Sequence, residues 1–150
     1  MRPFTFTVVK GNGPGRTDGH GRSRIDARRA LCFGGGDVLP MITRHDSVSY
    51  APALPGIERR TLCHGERMLM TEFRLEGGSV LPAHAHPHEQ TGYLVSGRLR
   101  LRIGTEEREL APGDSWSIPG GVEHQATILE DSVALEVFSP VREDYLSRGE

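Results

Sequence analysis

Apolar and polar residues alternate through most of the chain beyond residue 57. Arg98-Leu99-Arg100-Leu101-Arg102-Ile103 alternates strictly, the pattern of a strand with one buried and one wet face. Arg67–Leu75 reads as a strand ended by Glu76-Gly77-Gly78, and Thr91–Val95 as another ended by Ser96-Gly97. Glu107–Leu110 returns after the turn at Gly104, and Ala111-Pro112-Gly113-Asp114 turns the chain again. Ser115–Ile118, Gln125–Leu129 and Ser132–Phe138 complete the set. Short strands broken by Gly/Pro turns predict an all-β sandwich or barrel rather than βαβ units. No ten-residue helical stripe precedes the tail Val141–Glu150, where one short turn is expected.

Residues 1–40 read differently. They hold eight glycines and six arginines, with little periodic apolar pattern beyond Phe4–Val9. Such a segment buries too little apolar surface to offset its ordering entropy. The expectation is a disordered tail over 1–40, with Met41 as the natural start and one domain over 41–150. The apolar stretch after Arg28-Arg29 is too short and glycine-rich for an export signal, so a cytoplasmic protein is expected.

Composition narrows the function classes. A chain of 150 residues with 36% hydrophobic and 25% charged residues suits one soluble domain. No apolar run approaches the roughly 20 residues that span a bilayer, so no membrane partner is expected. The net charge of −2 gives no basic face for nucleic acid. The charge is uneven, with seven Lys/Arg against three Asp/Glu in residues 1–40, and eleven against seventeen in 41–150. Cys32 and Cys63 have no metal-binding spacing and read as reduced thiols. A core of this size would gain from pairing with a second copy, so a homodimer is expected.

The strongest chemical signal is Ala83-His84-Ala85-His86-Pro87-His88-Glu89-Gln90. On an extended strand residues i and i+2 share a face, so His84 and His86 would project together, followed by His88 and Gln90. Neutral imidazoles on one face suit zinc, iron, copper or nickel better than they fill a core. His124 follows the turn Pro119-Gly120-Gly121 as a third imidazole. Glu89 is the competing carboxylate, but strand parity places it on the opposite face from the pair. His20, His45 and His64 have no partners in sequence and read as solvent-facing, and His88 reads as a rim residue. Arg98, Arg100 and Arg102 read as a solvated sheet face, the alternative being a barrel lining that favours an anion, and Tyr93 and Trp116 as core, with pocket walls as the alternative. Ala134, Glu136 and Phe138 share one face of the last strand, pointing inward, with Arg142 able to reach over the mouth.

Gly78-x5-His84-x-His86-x3-Gln90-x6-Gly97, followed by Gly113-x5-Pro119-x-Gly121-x2-His124, resembles the two motifs of the cupins. Two positions depart from the family pattern: Gln90 stands for the usual glutamate and Ile128 for a terminal asparagine. The resemblance implies a single jelly-roll barrel, often dimeric, with one divalent metal (Mn, Fe, Ni or Zn) held by His84, His86, Gln90 and His124. The ending Glu136-Val-Phe138-Ser-Pro-Val-Arg142 is similar to that of the pectin- and alginate-degradation cupins that linearise 4,5-unsaturated uronates. That likeness implies a small anionic substrate, Glu136 and Arg142 as catalytic residues, and Phe138 and Arg142 as substrate contacts. The family's acid is commonly aspartate. A non-catalytic ligand-binding cupin and an iron-dependent dioxygenase or isomerase remain the alternative expectations.

Overall fold

The computed structural model describes residues 42–45 and 47–146. The readings on residues 1–40, Met41, His20 and Cys32 lie outside them. Eight strands are present: β1 (Ala51–Leu54), β2 (Ile57–His64), β3 (Leu69–Leu75), β4 (Val80–His84), β5 (Glu89–Ile103), β6 (Glu106–Leu110), β7 (Ser115–Ile118) and β8 (His124–Ser139). A short 3₁₀ turn, Glu143–Tyr145, follows. No helix among the described residues is long and apolar enough to cross a membrane.

All ladders are antiparallel, and two long strands organise them as a jelly roll. The first half of β5 pairs with β7 and with the second half of β8, to which β3, β2 and β1 are added in turn. The second half of β5 pairs with β6 and with the first half of β8, which also carries β4. Each long strand therefore serves both halves of the sheet and bends at its middle. The Thr91–Val95 and Arg98–Ile103 segments read above as separate strands are the two arms of β5, and Gln125–Leu129 and Ser132–Phe138 are the arms of β8. The break expected at Ser96-Gly97 is a bend with register shifts, not a chain reversal. Gly97 has φ +87°, and a Cβ there would lie 2.2 Å from Ser132 Oγ and 2.3 Å from the Asp131 carbonyl oxygen. Glycine permits both the dihedral and the close approach.

Alternation decides which side chains enter the barrel. Leu94, Leu99, Leu101, Ala126, Ile128 and Ala134 form one buried cluster, each large member contributing about 1.5–3 kcal/mol of burial free energy. Arg98, Arg100 and Arg102 face outward as expected, beside Glu130, Glu107 and Glu109, and Glu123 respectively. Tyr93, by contrast, is 47% exposed, because its parity on β5 puts it outside; it is not core. His64 is half-buried rather than solvent-facing, whereas His45 is exposed. Cys63 is a free thiol.

One outward-facing arginine is buried. Arg60 on β2 is ladder partner to Glu72 on β3 and donates to it from Nε and Nη2 at 2.9 and 2.6 Å. Its Nη1 donates to the carbonyls of His45 and Val48, and Tyr50 also donates to Glu72. These bonds fasten His45, Val48 and Tyr50 across the outer face of the sheet.

Candidate metal centre

β4 ends at His84, whose ladder pairing with His124 sets the two rings 4.2 Å apart. His86 lies in the connection to β5, its ring 5.7 Å from that of His84 and 5.0 Å from that of His124. One ring nitrogen from each falls within a group spanning no more than 4.8 Å. The histidines thus converge because the chain leaves the strand after His84, with Pro87 in the connection. A single regular strand running through to Gln90, the basis of the parity argument, does not form. Gln90 nevertheless faces inward on β5 and is buried, while Glu89 is exposed.

Backbone carbonyls fix the three tautomers. Nδ1 of His84 meets the Pro82 oxygen at 2.8 Å, that of His86 the His88 oxygen at 3.1 Å, and that of His124 the Val122 oxygen at 2.9 Å. A carbonyl only accepts, so each Nδ1 carries the proton and each Nε2 keeps its lone pair. His124 Nε2 is buried with no protein partner. Gln90 Oε1 lies 3.0 Å from His86 Nε2, and with that tautomer both atoms are acceptors. Burial, reinforced by positive charge at Arg142 and the neighbouring imidazoles, lowers the pKa of His86 and His124. They therefore stay neutral, the form that ligates. Imidazole nitrogens gathered within 4.8 Å of one another, with the Gln90 amide oxygen beside that of His86, fit a divalent transition metal.

Beside this cluster a cavity enclosing about 60 Å³ runs into the barrel, lined by apolar residues of the core and by Glu136, Phe138, Arg142 and Tyr145. That volume holds several waters. A ring-sized ligand would have to project through the mouth. Glu136 sits in a register row that runs Thr71, Glu136, Gly92, Trp116 across β3, β8, β5 and β7. The Trp116 indole lies over Gly92, where a Cβ would come within 2.1–2.5 Å of it. Gln90 Nε2 donates to Glu136 Oε1 at 2.7 Å. Burial pushes the Glu136 carboxyl up to about 7, against the opposing pull of Gln90 and Arg142. The Trp116 N–H also favours the ionised form, although it closes no full hydrogen bond.

The remaining expected residues divide. Phe138 is both core and wall, 1% exposed with its ring edge-on to His86 at 5.8 Å. Arg142 lines the cavity and donates to Asp144 from Nε at 3.2 Å and Nη2 at 2.7 Å. His88 stands outside the cluster, its ring 5.6 Å from that of His86. Trp116 is a cavity wall as well as a packing residue. Tyr145 lines the cavity too, and nothing in the alternation pattern marks it, since it comes from the irregular tail. An aromatic residue three positions beyond Arg142 is the only signal that could have pointed to it.

Comparison with known proteins gives consistent relatives. A cupin domain family model matches residues 71–140. The pectin degradation protein KdgF of Dickeya dadantii is 30% identical over 93 residues, covering 61% of this chain and 84% of that protein. The structure of KdgF from a Halomonas species superposes with a TM-score of 0.69 at 31% identity, covering 72% of this chain and all of that one. An RmlC-like cupin from Shewanella frigidimarina superposes equally well, TM-score 0.69, at 24% identity over 72% of this chain and 97% of that one, a likeness of fold alone.

Proposed function

The chain belongs to the cupin family, with a three-histidine cluster that could hold a metal ion, and from that premise we propose that it is an isomerising enzyme for a small anionic sugar, most concretely a 4,5-unsaturated uronate. The observation that carries the reading is Glu136: a half-buried carboxyl on the cavity wall, tied to Gln90 and poised near neutrality, with the three histidines and Arg142 lining the same cavity. Likeness to two proteins called KdgF, one of them named for pectin degradation, supports the substrate class.

His84, His86, Gln90 and His124 would hold one divalent ion, Mn, Fe, Ni or Zn. When bound it supplies a Lewis acid for a substrate oxygen. An amide at position 90 cancels none of the ion's charge. Linearisation is a net isomerisation: the hemiacetal C–O bond opens to an aldehyde and an enol, and the enol proton moves to carbon as the ketone forms. Glu136 holds and moves that proton, its raised pKa matching the working pH. Arg142 presents charge to the sugar carboxylate, and Phe138 provides a flat apolar floor. A redox-iron oxygenase would be better served by a lumen without a carboxyl, so Glu136 weighs against that alternative.

The test is incubation of metal-loaded protein with the unsaturated products of a uronate lyase. The enol ether ultraviolet absorbance should disappear with the natural sequence and persist with Glu136→Ala or His84→Ala. Persistence with the natural sequence under all four metals would sink the proposal and leave a non-catalytic binding module as the better reading.

A further inference from the structure

Arg142 does not stand alone at the mouth of the cavity. Its guanidinium carbon lies 3.9 Å from the centroid of the Tyr145 ring, and that of Arg59, from β2, lies 3.8 Å from the same centroid. Both guanidinium groups therefore lie within cation–π range of the same ring. Arg59 directs its charge at this ring and, at 3.5 Å, at the Asp144 carbonyl oxygen. No carboxylate pairs with it among the described residues. The ring is fixed from its edges by Phe138 at 5.5 Å and Phe73 at 6.4 Å, and Thr61 Oγ1 donates to the Tyr145 carbonyl at 2.8 Å. Asp144 occupies the Nε–Nη2 edge of Arg142, while Nη1 has no protein acceptor among the described residues.

We infer that Tyr145, braced by Arg59, is a positioning residue that fixes the orientation of the Arg142 guanidinium over the cavity and thereby sets a preference for a carboxylate-bearing ligand. This rests on the reading that the cavity takes an anionic sugar. The physical basis is preorganisation. A free arginine side chain loses rotamer freedom when it grips a ligand, whereas one already stacked and ion-paired has lost it before binding. Stacking on an aromatic face in a partly desolvated setting is strong enough to hold a guanidinium in place.

The test is calorimetric titration of the nickel-loaded full chain with galacturonate, and with galactose as the neutral control. The natural sequence should prefer galacturonate. Tyr145→Leu should lose about tenfold in galacturonate affinity, the scale of a partly desolvated cation–π contact, with galactose binding unchanged. Tyr145→Phe, which keeps the ring, should stay within about twofold, and Arg59→Gln should lose about threefold. A folded Tyr145→Leu protein within twofold of the natural sequence, or one losing both sugars equally, overturns the inference while leaving the anionic-substrate reading intact. If Tyr145→Leu does not fold, an undiminished preference in Arg59→Gln overturns it. Absence of any preference in the natural sequence overturns the anionic reading and this inference with it.

Discussion

Gln90→Glu separates the two jobs assigned to position 90, holding a metal and holding Glu136. The substitution replaces an N–H···O contact of 2.7 Å with two facing carboxylates. At that distance and an effective dielectric of about 20, two unit charges repel by about 6 kcal/mol, equivalent to about 4.5 pH units. The pair avoids this by sharing one proton, as closely set carboxylates do. In the natural sequence Glu136 titrates near 7, so at pH 8 it is mostly ionised before any metal arrives. In the variant the pair keeps one proton at pH 8, and when residue 90 ligates as the carboxylate that proton rests on Glu136. Carboxyl NMR of the metal-free proteins should therefore find one proton on the pair at pH 8 in the variant and Glu136 mostly ionised in the natural sequence. Calorimetry of nickel binding at pH 8 should give a tighter complex for the variant, since a charged ligand has replaced a neutral one. Turnover should fall by about 100-fold or more, because Glu136 no longer exchanges its proton near neutrality. A variant pair without a proton at pH 8 would refute the coupling of position 90 to Glu136.

Three further outcomes follow from the same geometry. Glu136 has a folded pKa above its unfolded value, so its contribution to stability is complete below about 4.5 and is lost as pH rises to about 7; this amounts to about 3 kcal/mol in the metal-free protein. Urea unfolding should show that slope in the natural sequence and not in Glu136→Gln. Glu72 behaves oppositely: burial works to raise its carboxyl, but hydrogen bonds from Tyr50 and Arg60 hold it below the usual range, and the stability it contributes is lost as pH falls below about 4.5. Arg60→Met leaves that carboxylate half-stranded and should cost about 3 kcal/mol at pH 7, a fall in Tm of about 10 °C or more by differential scanning calorimetry. Gly92→Ala pushes a methyl into the Trp116 indole, and should destabilise the protein by about 1–3 kcal/mol while shifting the emission of its single tryptophan; unchanged emission would show that the indole does not lie over Gly92.

Much of this was legible because a sheet imposes its period on sequence. The alternation from Arg98 to Ile103 correctly separates three outward arginines from Leu99 and Leu101, and the face shared by Ala134, Glu136 and Phe138 does enter the barrel. The spacings around His84, His86 and His124 identify the cluster even though the strand-parity reasoning behind it fails at Pro87. A motif keeps its meaning when the local geometry used to justify it is wrong. What periodicity could not show is where a strand bends while remaining a strand. Ser96-Gly97 looks like a chain reversal, yet the ladder with β8 continues past it, and that continuation depends on Ser132 and Asp131, distant in sequence. Nor could it show long-range polar contacts such as Arg60 with Glu72, or Tyr145 between two arginines, because neither arises from a local repeat. Tyr93 was misassigned for a simpler reason: aromatic character suggested burial, and parity overruled it.

The bending of β5 and β8 has a bearing on how this binding chamber can diversify. Both arms of each strand are paired with both arms of the other, so sliding one by a residue would turn its lining outward along the whole arm. The aperture therefore resists gradual widening from the barrel side. Apart from His86, the lining residues outside the woven framework are Arg142 and Tyr145. New tastes for ligands in molecules built this way should arise by rewriting the few residues after Ser139, leaving the weave untouched.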